Sequence, residues 1–168
     1  MRAELVDLGV AGVHRAPEPL TVKNIRQVSA GVLSYERMSE IAPDEEFIHD
    51  RYPVSAPRYS ANIEATIINL PRNNFLRKRR VVAKSRELQF NLRTDTPEPY
   101  EVLWKVRNHG PEAARVPGGL RGQIRIGGNK TRNVHNESTL YRGSHYVEAY
   151  VVKDDMVVAS DHHTVTIE

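Results

Sequence analysis

The sequence has no cysteine among its 168 residues. That absence excludes disulfides, zinc–thiolate sites, iron–sulfur clusters and a cysteine nucleophile together. Long apolar runs are missing too. No stretch approaches the ~18 apolar residues of a membrane span, and the N-terminal stretch MRAELVDLGVAGVHRAPEP lacks the apolar centre of a signal peptide. A cytoplasmic protein with no membrane partner is the expectation. Catalytic motifs are equally scarce. Gly118-Gly119 and Gly127-Gly128 are not followed by the Lys-Ser/Thr of a phosphate loop and read as hairpin turns. There is no HExxH spacing, and adjacent His162-His163 must point to opposite faces of a strand. There is no GxSxG elbow. The paired acids Glu45-Glu46 and Asp154-Asp155 read as solvated groups in turn-like stretches. The sequons Asn129-Lys130-Thr131 and Asn136-Glu137-Ser138 carry no meaning without a secretion signal. The reading is a non-enzyme with no catalytic residue, no metal site and no cofactor.

What is present is unevenly charged. The net charge is +3, but residues 36–50 hold six acids and one Arg, while residues 72–93 hold eight Lys/Arg and one Glu. The basic block, with Arg77, Lys78, Arg79 and Arg80 at its centre, has two readings. One is a nucleic-acid or other anion-binding face. The other is a strand edge whose cations resist aggregation.

The length fits one domain, or one domain with a tail. In residues 21–41 the spacing of Ile25, Val28, Val32 and Tyr35 predicts a helix. Pro43, Pro53 and Pro57 then make residues 42–60 an extended connector. Beyond that point the period becomes two. Strands are predicted over 65–70, 81–84, 88–92, 100–106, 122–126, 145–152, 156–160 and 164–168. Leu88, Phe90 and Leu92 share one face of their strand, as do Val147, Ala149 and Val151 of theirs. Lys153-Asp154-Asp155 reads as a hairpin turn. Short strands at this spacing predict a mainly β, antiparallel β-sandwich of immunoglobulin-like kind, with a short helical or extended N-terminal segment. The boundary is placed between residues 1–58 (tail, helix, Pro-rich linker) and 59–168. Trp104, the only Trp, is read as the anchor between the sheets.

Three runs in order carry a resemblance. They are Pro97-Glu98-Pro99-Tyr100-Glu101-Val102-Leu103-Trp104-Lys105-Val106-Arg107-Asn108-His109-Gly110-Pro111-Glu112-Ala113, then Leu120-Arg121-Gly122-Gln123-Ile124, then Thr139 to Val152. Together with Glu45-Glu46-Phe47-Ile48 and Pro53, this set resembles the adenylyl/guanylyl cyclase and SMODS C-terminal sensor domain family, over roughly residues 45–168. The family is found behind nucleotidyltransferases that make cyclic oligonucleotide signals in bacterial antiphage (CBASS-type) immunity. No Gly-Ser pair followed by Asp-x-Asp is present. The chain is therefore expected to be a stand-alone sensor or the end of a larger polypeptide. The resemblance implies sensing rather than chemistry. The module would bind a nucleotide-type or phage-derived ligand and regulate an attached or neighbouring nucleotidyltransferase or effector. A nucleic-acid-binding module using 72–93, and a module recognising a phage protein, are the alternatives.

A phosphate-bearing ligand needs guanidinium forks, and glycine where it must approach backbone. Arg121-Gly122 and Arg142-Gly143 each offer both. Tyr141 and His145 can stack on or hydrogen-bond a base, and Asn108 can read a base edge. Arg107 completes the candidate ligand set. Internally, Asn108-His109-Gly110 reads as a turn, His145 as a structural histidine, and either Arg-Gly arginine as a partner for Glu112 or Glu148.

Overall fold

Alternating apolar residues in the second half of the chain build two sheets. The computed structural model describes residues 42–68, 75–76 and 80–168, all within one compact unit, Ser39–Glu168. The helix predicted over 21–41 and residues Arg77, Lys78 and Arg79 lie outside the described residues; of Arg80 the backbone alone is described. Among the described residues the strands are β1 (Ala61–Ile67), β2 (Phe75–Leu76), β3 (Arg80–Val82), β4 (Glu87–Thr94), β5 (Glu101–Arg107), β6 (Arg121–Ile126), β7 (Val134–Ser138), β8 (Gly143–Lys153) and β9 (Met156–Ile167), with one short α-helix, α1 (Pro111–Ala114). One sheet has the order β2-β1-β4-β7 and the other β3-β9-β8-β5-β6.

The two-residue period decides which faces meet. Ile63, Ala65, Leu88, Phe90 and Leu92 of the first sheet and Val102, Trp104, Val106, Val147, Ala149 and Val151 of the second form one buried cluster. Strict alternation in β4 and β8 therefore reports the core face as expected. Trp104 is 1% exposed. Its Nε1 donates to the Arg132 carbonyl at 3.0 Å, and its ring stacks on His135 of β7 in the opposite sheet at 5.5 Å. The anchor reading holds.

Several expectations are corrected. β3 runs parallel to β9, so the second sheet is mixed rather than wholly antiparallel. The predicted strands 156–160 and 164–168 are one strand. Its polar middle has work inside the fold: the Asp161 carboxylate accepts from the Ile63 amide at 2.7 Å, and His163 lies edge-on to Phe90. His162 and His163 do take opposite faces, exposed and buried. Helix is not confined to the front, because Pro111 starts α1 from the position where its missing N–H costs nothing. β7, rich in polar residues, was not anticipated.

Residues 42–58, read as a Pro-rich connector, lie against the second sheet. They carry a 3-10 turn at Ile48–Asp50 and are stitched to the second sheet. Glu46 N donates to Gly122 O at 3.1 Å and Val157 N to Pro53 O at 3.0 Å. Ile48 and Tyr52 pack on Leu103, Ile124, Val152 and Val157. This strap covers the outward face of β5, which carries Leu103, Lys105 and Arg107, so both sides of that strand are buried.

Candidate functional site

The end of β5 and the start of β6 meet at an irregularity. Arg107 pairs with Arg121, with a register shift between Lys105 and Arg107. Such bulges re-aim side chains. Arg121 takes φ +56° and Gly122 φ +124°. Asn108 N donates to Leu120 O at 2.9 Å, and Asn108 Nδ2 to Gly119 O at 2.8 Å. These bonds hold the turn before β6 against the end of β5. β7 and the start of β8 complete the wall.

Four of the six candidate residues line one pocket of about 260 Å³: Asn108, Arg121, Tyr141 and His145, together with Glu137 and Leu140. The other two are elsewhere. Arg142 is not among the lining residues. Its amide donates to Glu112 Oε2 at 2.9 Å and its guanidinium lies 3.4 Å from Glu112 Oε1, the internal partner offered by the sequence. Arg107 is 1% exposed; its Nε donates to Glu45 Oε2 at 3.2 Å and its Nη1 to the carbonyls of Asn108 and Leu120. The glycines also serve the fold. A Cβ on Gly143, at φ +140°, would strike the His109 carbonyl, and one on Gly122 would lie 3.2 Å from Glu45 Cα. Neither close approach is to the pocket.

Inside the pocket, charge is balanced. Arg121 Nη1 donates to Glu137 Oε2 at 2.5 Å, and His135 Nε2 meets Glu137 Oε1 at 2.6 Å. Burial pushes the Glu137 carboxyl up, but the hydrogen bonds from His135 and Arg121 outweigh it and hold the group below its ordinary value. Glu137 is therefore ionised beside Arg121. His145 is 7% exposed, and its Nε2 lies 2.7 Å from Tyr141 O. A carbonyl can only accept, so Nε2 carries the proton and Nδ1 is an acceptor, without a partner among the described residues. Burial lowers its pKa, opposed by the Tyr141 bond. Sequence reasoning missed Glu137 and His135, because a strand reading Val-His-Asn-Glu-Ser shows no apolar alternation. Among the described residues no group of His, Asp or Glu is arranged to hold a metal, and no helix is long and apolar enough to cross a membrane.

Compared with known proteins, residues 43–168 match the family described as the Adenylyl/Guanylyl and SMODS C-terminal sensor domain. No curated protein matches the chain.

Proposed function

The chain belongs to the Adenylyl/Guanylyl and SMODS C-terminal sensor domain family, and from that premise we propose that the Arg121–Glu137 pocket is the ligand site of a non-catalytic nucleotide sensor. The module regulates an attached or neighbouring nucleotidyltransferase or effector of a cytoplasmic bacterial antiphage signalling system. Its two sheets are taken as an immunoglobulin-like sandwich carrying the site at one end.

The observation that carries this reading is the convergence of Asn108, Arg121, Tyr141 and His145 on one pocket. Its volume, about 260 Å³, lies just under the ~300–1,000 Å³ of drug-sized sites. That suits one base or nucleoside of a larger ligand. The ionised Glu137 beside Arg121 offers acceptors next to donors, which match the mixed polar edge of a base. A bare phosphate would meet the carboxylate's repulsion, so phosphates are assigned to the mouth of the pocket and the base to its interior.

The test is a thermal-shift screen of mononucleotides and cyclic di- and trinucleotides. A ligand at 100 times its Kd adds ~2.7 kcal/mol, a shift of several degrees in a chain of this size. Binding that survives Arg121→Ala and Glu137→Gln unchanged, or no shift from any nucleotide, refutes the reading.

A further inference from the structure

The strap holds three consecutive acids, and all three face the sheet. Asp44 accepts from Gln123 Nε2. Glu45 Oε1 accepts from Lys105 Nζ at 2.9 Å and Oε2 from Arg107 Nε at 3.2 Å. Glu46 Oε2 accepts from the Ile124 amide at 2.5 Å while its own amide donates to Gly122 O. Lys105 and Arg107 are 3% and 1% exposed, and Lys105 Nζ also sits 4.8 Å from the Phe47 ring centroid. Of these acids, which read as solvated in the sequence, Glu45 is thus a plug in a buried cationic site, with Asp44 and Glu46 tied to β6 on either side of it. Burying such charges is costly unless they stay paired, so the strap has a strongly favoured docked position.

The strap and the pocket touch the same two dipeptides. In Arg107-Asn108, Arg107 holds Glu45 and Asn108 lines the pocket. In Arg121-Gly122, Arg121 lines the pocket and Gly122 lies against Glu45. The two dipeptides are register neighbours, joined again by Arg107 Nη1 on Leu120 O. Arg107 and Gly122, the groups that seat Glu45, are therefore the direct chain neighbours of Asn108 and Arg121, which line the pocket.

We propose that residues 43–51 are the output element of the sensor: occupancy of the Arg121–Glu137 pocket sets how firmly Glu45 is seated, and the strap carries that state to whatever precedes it in the chain. This rests on the pocket reading above. Arg107 is a positioning residue here, acting on the strap and not on the ligand.

Hydrogen exchange on the full 168-residue chain tests it. The amides of Glu46 and Ile124 report strap docking directly, because their acceptors lie across the strap–sheet contact. Gly122→Ala crowds Glu45 without removing a charge, and Glu45→Gln weakens the plug. Each is expected to speed exchange at Glu46 and Ile124 by at least about tenfold, with β8 amides unchanged. The decisive variant is Glu137→Gln, which touches the pocket and not the strap. It is expected to shift exchange at those same two amides by at least about threefold. Rates within twofold of the unaltered chain in Glu137→Gln, or faster exchange spread evenly over all strands, overturn the proposal. A nucleotide screen that finds no binder while Glu137→Gln still moves the strap removes the pocket's ligand and leaves the coupling standing. Nucleotide binding with unchanged Glu46 and Ile124 exchange removes the coupling and leaves the ligand site.

Discussion

Replacing Trp104 by Ala removes the largest side chain that both sheets share. The indole is 1% exposed, stacks on His135 and donates to Arg132 O. Truncating a buried aromatic residue to Ala costs ~3–5 kcal/mol through lost transfer energy and the cavity left behind. The stranded Arg132 carbonyl and the lost ring contact with His135 place the expectation in the upper half of that range. For a chain of this size each kcal/mol moves Tm by roughly 2–4 °C, so a fall of roughly 8–20 °C is expected. Trp104→Phe keeps most of the volume and loses the indole donor, for about 1–3 kcal/mol. Because the only Trp is removed, unfolding must be followed by circular dichroism in urea rather than by fluorescence. A cost below about 1 kcal/mol for Trp104→Ala would show that the sheets do not depend on this contact, and the anchor argument would fall with it.

The two Arg-Gly arginines should separate. Arg121→Lys is expected to weaken nucleotide binding ~10- to 100-fold with Tm nearly unchanged, since Lys cannot reproduce a guanidinium fork; Arg142→Lys should leave affinity alone, and an equal loss in calorimetric titrations of both would contradict the pocket assignment. Glu112 is held down to about 2 by the Lys84 ammonium and the Arg142 amide. Its folded pKa lies below the unfolded value, so its stabilisation is complete above pH ~4.5 and fades as pH falls toward about 2. A carbon-13 titration of Glu112 should show that depression, and Lys84→Met should raise the value; an ordinary carboxyl in the unaltered chain would disprove the pairing. Burial first, then the Glu148 carboxylate, push Tyr146 and Tyr150 far above the ordinary phenol. Spectrophotometric titration to about pH 11 should leave at least Tyr146 and Tyr150 un-ionised while the fold persists; full ionisation with native circular dichroism would refute their burial.

Where a strand buries one face with apolar residues, the sequence was readable. Leu88-Gln89-Phe90-Asn91-Leu92 and the Val147, Ala149, Val151 set report both strand and face. Lys153-Asp154-Asp155 reports its hairpin, with Asp154 and Asp155 both at positive φ as a tight primed turn requires. Illegible strands are those whose inward positions are polar and satisfied by tertiary partners. Asp161 is tied to Ile63 and Glu137 to Arg121, and no local pattern announces either. The strap fails for the same reason. Its acids look like a solvated cluster until Lys105 and Arg107, roughly 60 residues on, are brought beneath them.

The candidate site shows the same division more sharply. Arg121-Gly122 and Arg142-Gly143 are indistinguishable as dipeptides. What separates them is the strand across from each. Arg121 begins β6 beside a bulge, in a left-handed conformation, and reaches Glu137 on β7. Arg142 precedes β8, with Gly143 packed against the His109 carbonyl and its charge spent on Glu112, which Lys84 also holds. Only Arg121 therefore faces a cavity, and it does so with its charge already met by an ionised carboxylate. A site built to capture phosphate would leave the guanidinium unpaired; pairing it inside the pocket converts a cation into an alternating donor–acceptor edge. That conversion is why selectivity is expected to follow the base rather than the number of phosphates.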